Sequence, residues 1–451
     1  MTRRTTISGH GIAALTLVAC SIFFLVMERY FPSTRWFAAQ LLSLPALLTY
    51  IWLLYRQQRG ALFTSFYQAI YWAGILASAL AISAGTYMIE IEKTGTANGT
   101  YWVALLFFVT GMEMTVIGYR RAGRKIPSFA LARLSQNINR VFITAAVLPT
   151  LVLSAHILIV YRGPILMGVD RLSFFQGLPP LLAQLPNLAT QTFFFAAFYF
   201  LQKRRDREPM KFAWFLVLAY LATGYLVLGQ KFSLYVIYIS TWLFIVPGLL
   251  PRFNLRKRYV LLGALGAVLI GALVAFTYLL EGKEVSFVLT RIALQAQLLW
   301  SVLNDLTAPT ILPAANFDCL WGCGQYPTGR EFISELYLPH HRYVYYESIG
   351  NAVSGFYPAL PLLSLGVPAA MALHLLVSFI LGWTQRKATN AFADNQMIYG
   401  FLFFKLNLGL TILIATGALG SLRGIWMMVA AIVLYHVLFQ KLFWRRPAQS
   451  T

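Results

Sequence analysis

The chain has 451 residues, 59% of them hydrophobic and only 11% charged, with a net charge of +21. Globular domains carry roughly 25% charged residues, so this composition excludes an ordinary soluble fold. What the positive excess means depends on where the cations fall, because in a soluble domain it would point to nucleic acid.

Apolar runs reaching the ~20 residues that cross a bilayer recur along the whole sequence. They predict about twelve helical spans, near 11–28, 36–55, 62–89, 100–119, 141–161, 187–202, 212–229, 232–250, 259–280, 348–383, 396–419 and 424–443. The expected fold class is all-α, a polytopic integral membrane protein in which residues 1–451 form one domain, since no repeat, linker or low-complexity tract divides them. In the first span Cys20 follows Leu17, Val18 and Ala19 and mimics a lipoprotein cleavage box. The apolar run continues from Ser21 to Met27, so the span reads as intact.

Arg3 and Arg4, Arg56 and Arg59, and the cations of 120–140, 203–211, 252–258, 386–387 and 441–446 fall on alternate connections. Only Asp206, Glu208 and Asp394 oppose them there, whereas cations and acids balance on the other connections. The whole excess therefore lies on one side. By the positive-inside rule that side is cytoplasmic, which puts both termini inside and the long segment 281–347 outside. No surplus charge remains for a nucleic acid to explain.

Two ionisable residues fall inside spans, Glu113 and Lys405, and a buried structural pair is expected for them, with a proton relay as the alternative. The first outer loop, RGPILMGVDR, is bracketed by Arg162 and Arg171, whose planar guanidiniums suit phosphate oxygens. The plainer readings are that Arg162 snorkels at its span end and that Arg171 pairs with Asp170 or is a solvated loop charge. Lys231 occupies a nearly loopless turn at or below the membrane surface. A deeply placed cation costs about 2.5–3.5 kcal/mol, so such a lysine has a partner or a task unless it simply reaches up to water.

Segment 281–347 is the only long stretch that could not sit in lipid. From Phe287 to Asp305 the polar residues Thr290, Arg291, Gln295, Gln297, Ser301, Asn304 and Asp305 cover about half a helical wheel, which predicts a helix at the outer interface. From Leu306 to Glu347 an irregular cap is expected, with a short helix around Glu331 to Leu338. Cys319 and Cys323, in DCLWGCG, would face the oxidising side of a bacterial inner membrane, where a disulfide is favoured over free thiols or a zinc site with His340 or His341.

Glu335, His340, His341 and Glu347 are candidate general bases, each with an ordinary loop residue as its alternative. No metal-ligand spacing is visible, so a metal-independent reaction is favoured. Tyr343, Tyr345 and Tyr346 offer flat faces on which sugars rest, or form an interfacial aromatic belt.

The span number, the loop GPILMGVDRLSF, the cationic hairpin LGQKF, the segment TRIALQAQLLW and the loop end ESIGNAVSGFYPALPLLSLG together resemble the Wzy-type O-antigen or oligosaccharide repeat-unit polymerases of bacterial inner membranes. The resemblance covers mainly residues 141–383 and implies a GT-C-like membrane glycosyltransferase with a large periplasmic loop. The implied reaction moves a growing glycan from undecaprenyl pyrophosphate to the non-reducing hydroxyl of an incoming lipid-linked repeat unit. Arg162, Arg171, Lys231 and Arg291 would hold the pyrophosphate, and Arg342, Tyr343, Tyr345, Tyr346 and Asn351 the glycan.

The resemblance implies no cofactor. The expected partners are the undecaprenyl-pyrophosphate-linked oligosaccharide, membrane lipid, a chain-length regulator and a flippase, with no nucleic acid. An O-antigen ligase, which shares the donor and presents a loop histidine, is the nearest alternative. A lipid-linked oligosaccharide flippase or transporter is the next, and inverted repeats would mark it.

Overall fold

The computed structural model describes residues 8–31, 36–123, 136–169, 171–229, 233–253, 272, 286–305, 329–348, 357–416 and 422–443. These residues are predominantly helical. The helices are α1 (Gly9–Tyr30), α2 (Trp36–Thr64) and α3 (Phe66–Ser83), followed by a small hairpin, β1 (Tyr87–Met88) and β2 (Lys93–Thr94), and then α4 (Thr100–Arg121). Next come α5 (Gln136–His156), the short helices α6 (Pro164–Met167), α7 (Arg171–Gln176) and α8 (Pro180–Ala183), then α9 (Leu185–Arg205), α10 (Lys211–Ala222) and α11 (Ser233–Leu249). The chain finishes with α12 (Ser286–Ala293), α13 (Gln297–Asp305), α14 (Gly329–Tyr337), α15 (His340–Ser348), α16 (Ala359–Ala393), α17 (Met397–Thr416) and α18 (Leu422–Phe443).

Among the described residues six helical stretches are long and apolar enough to cross a membrane, namely Gly9–Glu28, Trp36–Thr64, Phe66–Ser83, Thr100–Arg121, Ile143–Met167 and Ala359–Ala393. Four shorter apolar helices, Lys211–Val227, Leu234–Leu249, Met397–Leu413 and Gly424–Val437, fall near further expected spans. The expected span at 187–202 is helical as α9, while that at 259–280 lies almost wholly outside the described residues. Around 348–383 the helix itself runs Ala359–Ala393, so Arg386 and Lys387 are helical rather than in a connection.

The chain divides into two compact units. The first comprises Met1–Ala122, Tyr278–Thr384 and Leu406–Met427. Its core is built on Tyr50, Trp72, Tyr101, Trp102 and Phe107, all buried. α4 and α16 approach closely because each presents a glycine to the other's backbone: a Cβ on Gly118 would overlap the Phe379 carbonyl, and one on Gly382 the Thr115 carbonyl.

Buried Glu28 on α1 ties three segments together, accepting from the Gly99 amide at 2.9 Å, from Trp102 Nε1 at 2.7 Å and from Gln40 Nε2 at 3.3 Å. Such convergence is what a carboxylate removed from water requires. Glu113 accepts from the Tyr50 hydroxyl at 3.0 Å and has His10 Nε2 3.8 Å away, while Lys405 belongs to the second unit.

The second unit comprises Gly123–Thr277, Gln385–Lys405 and Met428–Thr451. α9 is its axis, with Phe194 packed among Phe392, Phe401 and Phe404. A chain of hydroxyls runs from Thr150 to Thr192 at 2.9 Å and from Tyr220 to Thr192 at 2.7 Å. α5 and α10 each end in a π-helical turn, Ile157–Tyr161 and Thr223–Val227, a distortion often found where helices shape a site.

Candidate functional site

The polar residues of the first unit converge where α3 ends and α4 begins. The 286–305 segment is not one helix: α12 stops at Ala293 and α13 starts at Gln297. Ser78 of α3 explains the break, because its hydroxyl donates to the Ala293 carbonyl at 2.7 Å and accepts from the Ala296 amide at 2.8 Å. Trp300 Nε1 donates to the Thr96 carbonyl at 2.7 Å, and Asn98 Nδ2 donates to the Trp300 carbonyl at 2.9 Å. α13 is thereby sewn to the loop after the hairpin. Gln297 and Ser301, expected on an exposed polar face, are buried.

That burial brings Gln297 against Glu90 in the hairpin loop, and its Nε2 donates to the Glu90 carboxylate. Glu90 is itself buried and also accepts from the Tyr346 hydroxyl at 2.8 Å. Burial pushes its pKa above the usual carboxylate range, while the bonds from Tyr346 and Gln297 and the charges of Arg291 and Arg342 pull it back. Tyr346 is correspondingly pushed up, by burial first and by Glu90 second, and remains a donor.

Two residues on, Glu92 has φ 54°, a left-handed conformation uncommon for a residue with a side chain. Its amide donates to the Met88 carbonyl at 2.8 Å. Its Oε1 accepts from Arg342 Nε at 3.0 Å and lies 3.0 Å from His341 Nε2. The Arg342 hydrogen bond, with His341 adding to it, holds Glu92 below the usual carboxylate range, so it is ionised. An ionised carboxylate has no proton to give, and His341 Nε2 is therefore the donor.

Of the residues singled out from sequence, the structure thus assembles Arg291, His341, Arg342 and Tyr346 around two glutamates that the sequence reading did not select. Tyr345 stands exposed beside Tyr346, with ring centroids 5.6 Å apart, and Tyr343 is half-buried. Glu335 is half-buried on α14, and His340 and Glu347 are exposed on α15. α14 is joined to α13 through a hydrogen bond from Tyr337 to Asp305. Where an irregular cap was expected, 340–348 is helical, and 329–337 matches the short helix expected at Glu331 to Leu338.

In the second unit Arg162 is exposed and ends the first π-helical turn with φ 62°, and Arg171 opens α7. The loop between them packs on Gly229, just after the second π-helical turn. At Gly229, where φ is 61°, a Cβ would lie 2.9 Å from Pro164 Cγ and 3.4 Å from Arg171 Cβ, so only glycine fits without strain. Lys231, Asn351, Cys319 and Cys323 lie outside the described residues. Among those described, no group of three or more His, Cys, Asp or Glu side chains could hold a metal ion.

The first unit's cluster offers two cations, an imidazole with one nitrogen committed to a carboxylate, and a hydroxyl on a buried acid. Glu90 and Glu92 balance the two cations, and the set can accept and pass on a proton. No protein-family model, curated protein or solved structure matches this chain.

Proposed function

We propose that the protein is a membrane glycosyltransferase that polymerises undecaprenyl-pyrophosphate-linked oligosaccharide repeat units at the periplasmic face of a bacterial inner membrane. In this reading it has about twelve spans, both termini are cytoplasmic, and α12 to α15 belong to a large periplasmic loop. The observation that carries the proposal is the gathering of His341, Arg342 and Tyr346 of α15 with Arg291 of α12 on the hairpin glutamates.

Each group has a task in the transfer. The acceptor hydroxyl loses its proton to His341 as its oxygen attacks the anomeric carbon, and His341 is favoured among the candidate bases because a neighbouring carboxylate holds it. The bond to the pyrophosphate oxygen breaks, the electron pair leaves with the pyrophosphate, and Arg291 offsets the growing negative charge. Tyr345 presents an aromatic face to a sugar ring.

The loop histidine held by Glu92 favours one second reading, an O-antigen ligase, which uses the same donor but a lipid A core acceptor. Disruption of the gene followed by gel analysis of surface polysaccharide separates these. A polymerase defect leaves cores bearing a single repeat unit, a ligase defect leaves lipid-linked polymer with bare cores, and an unaltered ladder rejects both. For the residues, Arg291→Ala is expected to shorten the polymer, and normal polymer from a folded variant removes it from the site.

A further inference from the structure

From the hairpin loop Glu92 reaches His341 on α15, 249 residues away along the chain. The turn holds Glu92 at φ 54° with its amide bound to Met88, which aims the carboxylate at α15. Arg342 Nε grips the same Oε1 at 3.0 Å and fixes that oxygen where His341 Nε2 meets it. Resting on the proposed function above, we propose that Glu92 is a positioning residue for His341: it selects the Nε2–H tautomer and so leaves Nδ1 as the nitrogen that accepts the proton of the incoming sugar hydroxyl.

Neutral imidazole carries one N–H, and the hydrogen bond made by one nitrogen decides which of the two bears it. With Nε2–H directed at Glu92, the lone pair on Nδ1 is free to accept. During transfer the acceptor O–H proton moves to Nδ1, the new bond forms between that oxygen and the anomeric carbon, and the pyrophosphate leaves with the electron pair. The imidazolium then carries one positive charge beside the Glu92 anion until it releases the proton to water. Arg342 keeps Glu92 ionised through this cycle without itself touching the proton in flight.

The experiment uses the full chain in lipid nanodiscs with ¹⁵N-labelled histidine, and the His341 resonances are assigned by their loss in His341→Gln. At a pH where the ring is neutral, the wild type is expected to show protonated Nε2 and bare Nδ1, and Glu92→Leu a mixture of both tautomers. Glu92→Asp, which keeps a carboxylate, is expected to restore part of the bias. With a purified lipid-linked repeat unit, Glu92→Leu should lower kcat by about 10²-fold, within the usual reach of acid–base catalysis, with KM little changed.

A wild-type ring protonated on Nδ1, or a tautomer unmoved by Glu92→Leu, overturns the inference. The wild-type spectrum decides the matter alone if Glu92→Leu does not fold. A His341→Gln protein that polymerises normally instead removes His341 as base, which is a failure of the proposed function and is read separately from the tautomer.

Discussion

Replacing Tyr346 with phenylalanine tests whether α15 is held in place by buried polar bonds. None of its nine residues is buried, so apolar packing contributes little to its position. Its ties to the hairpin are the bonds from Tyr346 to Glu90 and from Arg342 and His341 to Glu92. The Glu92 bonds are open to water and salt and are the weaker ties. The Tyr346 bond ends on a buried carboxylate, and a hydrogen bond to a charged group contributes about 1.5–3 kcal/mol. At 1.4 kcal/mol per tenfold, its loss should raise the undocked fraction by roughly 10- to 100-fold. A helix this short is marginal once detached, so undocking also melts it. Hydrogen exchange of the full chain in nanodiscs should therefore show the slowest amides of 340–348 exchanging roughly 10- to 100-fold faster in Tyr346→Phe, with α4 unaffected. Unchanged protection of 340–348 would refute the argument and assign the docking of α15 to other contacts.

The two glutamates should give opposite pH dependences. Glu92, depressed in the fold, contributes stability that is complete above the ordinary carboxylate pKa of about 4.3 and is lost as pH falls through its folded value. Glu90, raised by burial, favours the fold when protonated, and that advantage disappears as pH rises through its folded value. Thermal unfolding against pH should thus lose its acid-side decline in Glu92→Gln and its loss above the ordinary carboxylate range in Glu90→Gln. Ser78→Ala leaves a buried carbonyl and a buried amide with only a long 3.4 Å bond to each other, and it is expected to cost about 1–3 kcal/mol, read as a lowered Tm. Gly229→Ala forces a side chain into the left-handed region against Pro164, at a cost of about 1–2 kcal/mol, and chain-length analysis should show shortened polymer.

Much of the helical architecture is legible in the sequence because long apolar runs predict helices long enough to cross a membrane, six of which stand among the described residues, and the short helix at 329–337 is legible from its own residues. What escapes are features set by distant partners. The break between α12 and α13 depends on Ser78, 215 residues from Ala293 along the chain. Helix α15 escapes because HHRYVYYES has no apolar stripe, and its partners are acids on a hairpin that precedes α4. Glu113 takes a tyrosine hydroxyl from α2 and a histidine from α1 as partners, each far from it along the chain. Charge counting cannot anticipate that, since a hydroxyl donor carries no charge to count.

Glu90 and Glu92 did leave one trace. In MIEIEKTG the two acids alternate with isoleucines just after an apolar span and just before a glycine, a spacing of two that belongs to strands and turns rather than helices. On an uninterrupted strand both carboxylates would face the same way and share one environment. The turn breaks that equivalence: Glu90 goes inward to Gln297 and Tyr346, while Glu92, in its left-handed conformation, stays in water and reaches Arg342 and His341. Burial raises one acid and a guanidinium lowers the other, so two identical residues acquire different duties, one anchoring α15 and one orienting its histidine. An alternating acid pair at the end of a membrane span is therefore worth reading as two separate sites.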